Sequence, residues 1–248
     1  MIFLFLFLAG LLAGTVDAIA GGGGLISVPV LLSIGLPPHL AFGTNKLQSS
    51  VGTLMAAGRY YRHGLISLKS VYEGVIFGFM GAVAGAVSMQ MLDTKILQLI
   101  IPFLLLGILL YMLFSPHGKM DQPSLPRMPA TWFYLIFGFG LGFYDGFFGP
   151  GAGSFWVFAL TFFLGYNLIK ATAYTKIFNL NTNIVATICF ALGGNIDYHY
   201  AACMAAGSLL GGQLGAHLAV RKGVRLIRPV FLGIVSLTIA SLVYRSYF

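Results

Sequence analysis

Long and nearly uncharged apolar blocks divide the chain, and they restrict its possible folds more than any other feature. The blocks cover residues 2–35, 38–58, 69–92, 95–114, 131–165, 168–192, 198–220 and 226–247. A helix of about 20 apolar residues crosses a bilayer, whereas the strands of a membrane barrel show about 10 residues of alternating polarity. The blocks here are continuous, and only 8% of all residues are charged. We therefore predict an all-α integral membrane protein, because helices satisfy their own backbone hydrogen bonds in lipid.

Basic residues are concentrated in the short segments between these blocks. The formal net charge is +8, a value also found in proteins that bind nucleic acid. Lys and Arg in short loops are, however, typical of the cytoplasmic side of membrane proteins. We therefore expect the chain to be surrounded by the lipid bilayer and to bind no nucleic acid. Cys189 and Cys203 have no second Cys or His at metal-ligand spacing, so we expect no metal and no other cofactor.

The two halves of the chain carry the same pattern of unusual residues. Asp17 and the run Gly21–Gly24 recur at an offset of 128 as Asp145 and the run Gly149–Gly153. At an offset of 130, the equivalent pairs are Lys46 with Lys176, Gly81 with Gly211 and Gly85 with Gly215. We predict an internal duplication, with a first repeat at 1–115, a proline-rich linker at 116–130 and a second repeat at 131–248. Because Asp17 belongs to the repeated pattern, we expect the first block to be mature structure rather than a signal peptide.

Equivalent loops of the two halves differ in their basic residues. The loop after the second block contains Arg59, Arg62 and Lys69, whereas its counterpart around Asp197 has no Lys or Arg. After the third block the bias is reversed, and the basic loop belongs to the second half, with Arg221, Lys222, Arg225 and Arg228. Equivalent loops should therefore face opposite sides of the membrane.

An odd number of crossings per half satisfies this requirement. The blocks 2–35 and 131–165 are long and interrupted by glycine, so each could enter the membrane, break and return to its own side. We therefore predict two inverted-topology repeats, each with a broken, re-entrant helical hairpin followed by three transmembrane helices. The linker is then cytoplasmic and both termini are periplasmic.

The two glycine-rich breaks are the first candidate parts of a binding site. Glycine costs about 1 kcal/mol relative to Ala in a helix interior, so these runs should not remain helical. A helix that resumes after a break presents free N–H groups and the positive end of its dipole, which together favour an anion. The candidate substrate-binding residues are Gly22, Gly23, Gly24, Gly151, Ala152, Gly153 and Ser154. We expect Ser154 to cap the second helix start, and the alternative role of the glycines is close helix packing.

The second candidates are polar residues inside apolar blocks. A lysine at the centre of a membrane helix costs about 2.5–3.5 kcal/mol, so the matched pair Lys46 and Lys176 suggests a use in binding, with snorkelling to the interface as the alternative. The side chains expected to line the same cavity, or else to bridge helices, are Asn45, Gln48, Thr175 and Asn179. Asp17 and Asp145 precede the two breaks, and each could carry a coupling proton or serve as a counter-ion for a lysine.

Several of these segments together resemble the TauE/SafE family of membrane anion exporters, also called the sulfite exporter family. The resemblance lies in Asp17-Ala-Ile-Ala-Gly-Gly-Gly-Gly-Leu-Ile-Ser-Val-Pro29, Gly43-Thr-Asn-Lys46, Tyr144-Asp-Gly-Phe-Phe-Gly-Pro-Gly-Ala-Gly153 and Thr175-Lys-Ile-Phe-Asn179. It covers nearly the whole chain. The resemblance implies a permease of the bacterial inner membrane that moves sulfur-containing anions such as sulfite or organosulfonates.

These features favour a secondary transporter for a small anion, held at the midplane by the helix starts and the two lysines. A passive anion channel is the nearest alternative, and the dependence of flux on a proton gradient would separate the two. An intramembrane enzyme is less favoured, because the sequence contains no His-Glu-x-x-His, no Gly-x-Ser-x-Gly and no clustered Cys and His. We therefore expect no catalytic residues.

Overall fold

The computed structural model of the protein describes residues 1–67, 71–114 and 123–222. The predicted span 226–247, the loop residue Lys69 and the first part of the predicted linker lie outside the described residues. The described part is all-helical, as predicted. Its α-helices are α1 (Ile2–Ala20), α2 (Gly24–Ser33), α3 (Pro38–Arg62), α4 (Tyr72–Met91), α5 (Thr94–Phe114), α6 (Ala130–Phe133), α7 (Phe139–Phe147), α8 (Ala152–Leu164), α9 (Leu168–Leu192) and α10 (Tyr198–Lys222).

Local sequence signals account for most helix boundaries. A π-helical turn, Tyr134–Gly138, joins α6 to α7 into one almost continuous rod. Pro38 stands in the first turn of α3, where its missing N–H costs nothing. Asn167 precedes α9, and its side chain accepts a hydrogen bond of 2.8 Å from the amide of Lys170. The predicted blocks 2–35 and 131–165 each contain a helix that ends at the glycine run and a second helix that begins after it.

Three of the described helices are long and apolar enough to cross a membrane: Ile2–Ala20, Tyr72–Met91 and Tyr198–Val220. The helices α3 and α9 have 25 residues each, which is also sufficient length. They are less apolar because they pack against each other inside the molecule and carry buried polar side chains. The hydrophobic faces of the outer helices remain exposed, as lipid contact requires.

The most extensive helix contacts join one half of the sequence to the other. Helix α1 packs along α10, and α4 packs along α7. Glycine allows this approach: a Cβ on Gly81 would collide with the backbone of Phe139 in α7, and a Cβ on Gly211 would collide with the backbone of Leu11 in α1. The predicted packing role of the two Gly-x-x-x-Gly motifs is therefore confirmed. The colliding residues are related by the same offsets as the sequence repeat, so equivalent helices make equivalent contacts.

Candidate functional site

The two helix breaks meet at one place in the molecule. Gly21, just after α1, lies against Gly153 in the first turn of α8, so closely that a Cβ on either residue would overlap the backbone of the other. A Cβ on Gly24, the first residue of α2, would lie 3.1 Å from the Cα of Pro150. The starts of α2 and α8 are thereby brought together, although they are more than a hundred residues apart in the sequence.

The breaks have the backbone conformation that only glycine adopts readily. Gly21 has φ 73°, Gly149 has φ 93° and Gly151 has φ 80°, and this left-handed region costs other residues about 1–2 kcal/mol. The amides of Leu25 and Ile26 bond back to the carbonyls of Gly22 and Gly23 at 3.0 Å each, which starts α2. The first N–H groups of a helix have no acceptor within that helix. The predicted interruptions of both helices are confirmed.

The predicted role of Ser154 as the cap of the second helix start is wrong. The helix α8 begins at Ala152 with Gly151 at its N-cap, so Ser154 is already its third residue. Its hydroxyl instead donates a 2.7 Å hydrogen bond to the carbonyl of Ala20 at the end of α1. The Ser154 hydroxyl thus supplies a hydrogen bond to one of the carbonyls that a helix end leaves unpaired. This bond joins the start of α8 to the end of α1.

Lys46 is buried and paired with an acid of the other half. Its side chain is 1% exposed, and its Nζ lies 2.6 Å from Oδ1 of Asp145. The same ammonium group donates to the main-chain carbonyl of Asp145 and, at 3.3 Å, to Oδ1 of Asn183. Thr182 donates to the second carboxylate oxygen of Asp145. The Lys46 side chain is therefore paired inside the protein and does not extend to the membrane surface, which was the alternative called snorkelling.

Lys176 makes the reciprocal pair with the acid of the first half. Its side chain is 0% exposed, and its Nζ lies 3.3 Å from Oδ2 of Asp17. It also donates to the main-chain carbonyl of Asp17, and Thr53 donates to the same carboxylate at 3.3 Å. Each lysine therefore contacts an acid and a carbonyl in the last turn of α1 or α7, where the helix dipole is negative.

The two ion pairs differ in length and in the exposure of their acids. The Asp145 side chain is 4% exposed and its pair is the shorter one, whereas the Asp17 side chain is 18% exposed. Asp145 accepts from Thr182 and Lys46, while Asp17 has the more distant Thr53 and Lys176. The second-half acid is enclosed, and the first-half acid is partly accessible.

The predicted polar residues beside the lysines have different surroundings in the two halves. Asn45 Oδ1 accepts from Ser27 at 2.5 Å and from Ser49 at 3.3 Å. In the second half, the Thr175 hydroxyl and Asn179 Oδ1 are buried and have no hydrogen-bond partner within the described residues. Gln48 bonds a different element, because its amide donates to Ser208 of α10.

Some residues of this site were missed by the sequence analysis. Thr53 and Asn183 each lie seven residues after a lysine, on the same face of α3 and α9, and they occupy equivalent positions of the repeat. A search for polar residues at that helical spacing would have found them. Trp156 had no such signal; its indole nitrogen is also buried and unpartnered within the described part of the chain. Where side chains are described, no three His, Cys, Asp or Glu residues gather as a metal site would require.

Comparison with known proteins gives a consistent result. The chain is 42% identical over 239 residues to a "Probable membrane transporter protein" of Haemophilus influenzae, a match that covers 96% of this chain and 93% of that protein. It is 39% identical over 243 residues to the "Probable membrane transporter protein YfcA" of Escherichia coli K12, covering 98% and 90%. A more distant relative, the "Probable membrane transporter protein YunE" of Bacillus subtilis, is 23% identical over 272 residues and is matched over its full length.

No solved structure matches the chain. The family model described as "Sulfite exporter TauE/SafE" matches residues 6–242, which is nearly the whole sequence. Together with the apolar helices, these matches identify a multi-pass membrane protein of the transporter class. The chain belongs to the TauE/SafE (sulfite exporter) family.

Proposed function

We propose that this protein is a secondary transporter that moves a small sulfur-containing oxyanion, such as sulfite or a sulfonate, across the bacterial inner membrane. The observation that carries the proposal is the pair of crossed Lys–Asp contacts beside the abutting helix breaks. The family match supports the transporter class and the sulfur chemistry.

The charge arrangement favours an anion at the breaks. The two ammonium groups offset the two carboxylates and also contact the negative ends of α1 and α7. The starts of α2 and α8 then remain as positive dipole ends of about half a charge each. Their first amides, such as those of Leu25 and Ala152, bond glycine carbonyls of the breaks, so the helix dipoles carry this attraction. An anion can be held there without a permanently unpaired charge in the membrane, which would be costly.

We assign the coupling role to Asp17 and a counter-ion role to Asp145. Asp17 is the more exposed acid, and the groups facing it are Lys176 from α9, Thr53 from α3 and the Tyr60 hydroxyl, which bonds the neighbouring Ala18 carbonyl at 3.0 Å. A proton on Asp17 would release Lys176 to the transported anion. The enclosed pair of Lys46 with Asp145 stays intact during this exchange.

The transport cycle that we propose uses the two repeats as mirror partners. The repeats 1–115 and 131–248 have inverted topology, both termini are periplasmic and the linker is cytoplasmic. The crossed ion pairs and the paired contacts of α1 with α10 and of α4 with α7 fit such a relation. Movement of one repeat against the other would open the breaks to each side in turn.

Binding is tested with the purified protein in detergent. Melting temperatures are measured with sulfite, sulfate, thiosulfate, taurine, sulfoacetate and acetate, because a ligand at 100 times its Kd stabilises the folded state by about 2.7 kcal/mol. We expect at least one sulfur oxyanion to raise the melting temperature more than acetate does. No shift with any of them, together with no flux into proteoliposomes, contradicts the proposal.

Coupling is tested by flux of the bound anion under an imposed pH gradient. Wild-type flux should follow the gradient, as a carrier requires, and Asp17→Asn should remove that dependence while leaving the protein folded. Asp145→Asn is the matched comparison and should mainly lower stability. Flux that ignores the gradient in the wild type would favour the channel, and an unchanged gradient dependence in Asp17→Asn would contradict the role of this acid.

A further inference from the structure

We infer that the transported anion is held on the second-repeat side of the breaks by three uncharged side chains, Trp156, Thr175 and Asn179. This inference rests on the proposed function and adds to it the identity of the recognition groups. It also assigns different roles to the two halves of the chain. The second half supplies the side chains that bind the substrate, and the equivalent side chains of the first half bond one another instead.

The first observation is the hydrogen-bond state of these side chains. Trp156 and Thr175 are 0% exposed and Asn179 is 3% exposed. Trp156 Nε1, Thr175 Oγ1 and Asn179 Oδ1 are buried and unpartnered among the described residues. Buried polar atoms are almost always hydrogen-bonded in native proteins. Three exceptions on one pair of neighbouring helices therefore point to a ligand. An anion can accept from the Trp156 indole, from the Thr175 hydroxyl and, once the amide is turned, from the Asn179 NH₂ group.

The second observation is their position at the start of α8. Asn179 reaches the first turn of that helix, since a Cβ on Gly153 would lie 2.8 Å from its Nδ2. Trp156 stands one turn further along α8, and Thr175 stands one turn before Asn179 on α9. The Trp156 ring stacks on Phe178 at 4.4 Å between centroids, which fixes the indole against α9. The three side chains thus belong to the first turns of the 13-residue helix α8 and to the part of α9 that faces it, near the end where an anion is favoured.

The equivalent positions in the first half provide the contrast. Asn45 and Ser49 are the counterparts of Thr175 and Asn179 at the offset of 130. Asn45 Oδ1 accepts two hydroxyl groups, those of Ser27 and Ser49, and the Ser27 hydroxyl also lies 3.1 Å from the carbonyl of Gly23. The Asn45 carbonyl oxygen and the two hydroxyl groups therefore bond one another, unlike their counterparts in the second half. The buried Oε1 of Gln48 is unpartnered too, but that side chain bonds α10 and not α2.

The donor set defines the class of substrate. An indole N–H is only a donor, a hydroxyl can donate, and an Asn amide can turn either its NH₂ or its oxygen toward a ligand. A head group with three oxygens, as in sulfite or a sulfonate, can accept from all three side chains. A carboxylate can also accept several hydrogen bonds, but its two oxygens lie in one plane with their carbon, whereas an SO₃ group can direct a separate oxygen to each side chain. We therefore expect preference for SO₃ head groups over carboxylates.

The test compares binding of sulfite, taurine and acetate to the purified full-length protein by calorimetry. We expect Trp156→Phe, which keeps the aromatic stack, and Thr175→Val, which keeps the side-chain shape, each to weaken SO₃ anions roughly 10- to 100-fold, the loss of a hydrogen bond to a charged group. Asn179→Ala should do the same. The matched control is Thr172→Val on the same helix, whose hydroxyl is also buried but bonds the carbonyl of Leu168 at 2.8 Å; it should bind SO₃ anions within about threefold of the wild type.

The possible outcomes separate this inference from the proposed function. Wild-type binding of an SO₃ anion that is unchanged in Trp156→Phe, Thr175→Val and Asn179→Ala overturns the inference alone. The same conclusion follows if Thr172→Val loses as much binding as Thr175→Val. Absence of any SO₃ binding or flux in the wild type overturns the proposed function as well. Because Trp156→Phe and Thr175→Val conserve volume, they keep the test valid if Asn179→Ala does not fold.

Discussion

At the scale of single residues, the two lysines show how a charge becomes tolerable in a membrane helix. Lys46 and Lys176 are among the largest fully buried side chains of the described part of the protein. Each reaches an acid that belongs to the other repeat, and each adds a bond to a carbonyl at a helix end. The ion pairs therefore neutralise the buried lysine and aspartate charges, and they also link the two halves of the chain.

Removal of one partner of the shorter pair should be strongly destabilising. We expect Lys46→Met to lower the free energy of unfolding by about 3–5 kcal/mol, because Asp145 is left as a buried, uncompensated charge. Equilibrium unfolding in detergent measures this loss. The exposed Lys95 provides the control, and Lys95→Met should change stability by less than about 0.5 kcal/mol.

The double variant Lys46→Met with Asp145→Leu tests the physical reason. Replacement of a whole buried ion pair by apolar groups is often close to neutral, so we expect this variant to be more stable than Lys46→Met alone. A double variant as unstable as the single one would show that the pair is not the source of the loss.

At the scale of elements, the abutting helix breaks and the glycine-lined helix contacts determine how closely the repeats approach. Gly21 and Gly153 touch at the centre, while Gly85 and Gly215 allow α4 and α10 to lie directly on α7 and α1. Each contact is possible because glycine has no Cβ. Backbone-to-backbone packing of this kind is the main way that helices associate in lipid, where the hydrophobic effect between them is weak.

Gly21→Ala should separate the two breaks. The new Cβ would collide with the backbone of Gly153, in addition to the cost of about 1–2 kcal/mol for a left-handed Ala. Gly35→Ala is the matched control, since Gly35 also has positive φ, 95°, but has no atom within 4 Å of its Cβ position. We expect unfolding measurements to show a larger loss for Gly21→Ala, together with weaker anion binding. Equal losses of unfolding free energy in the two variants would mean that the contact between Gly21 and Gly153 contributes nothing to stability.

Gly85→Leu should force α4 away from α7. A side chain at this position meets the carbonyl of Phe143 and, at 2.7 Å for the Cβ, the amide of Phe147, and overpacking of this type costs about 1–3 kcal/mol or more. Gly107→Leu on α5 is the control, because none of the described atoms lies within 4 Å of its Cβ position. The melting temperatures of both variants are measured in detergent. A lower melting temperature for Gly107→Leu than for Gly85→Leu would contradict the packing role of Gly85.

At the scale of the whole molecule, the two halves of the chain correspond in their contacts as well as in their sequence. Equivalent residues occur in the crossed ion pairs, in the glycine contacts and in the two breaks. The equivalence is incomplete, since one acid is more exposed and one set of polar side chains has no partner among residues 1–67, 71–114 and 123–222. We expect these differences to decide which half binds substrate and which half closes the centre.

Labelling of single cysteines tests the proposed inverted topology. In a Cys189→Ala, Cys203→Ser background, His63→Cys and Leu192→Cys place a thiol at exposed ends of the equivalent helices α3 and α9. A membrane-impermeant maleimide added to intact cells should modify Leu192→Cys, and His63→Cys only after permeabilisation. Labelling of both from the same side would show that the repeats are parallel.

The sequence by itself determined the helical membrane class, the positions of both breaks and the residues that occupy equivalent places in the two halves. These properties are local, because they depend on runs of apolar residues and on the poor helix propensity of consecutive glycines. Helix packing through Gly-x-x-x-Gly was predictable for the same reason, and α3 and α9 were recognisable as helices although their polar residues lower their hydropathy.

Only the tertiary structure decided which acid each lysine contacts, that Ser154 bonds Ala20 rather than caps α8, and that Gln48 turns toward α10. It also distinguished Asn45 Oδ1, which accepts from Ser27, from Asn179 Oδ1, which has no partner in the described part of the chain. None of these is encoded at a fixed spacing in the chain. They depend on distances of a few ångströms between helices that are remote in sequence, and hydrogen bonds and ion pairs change steeply over such distances.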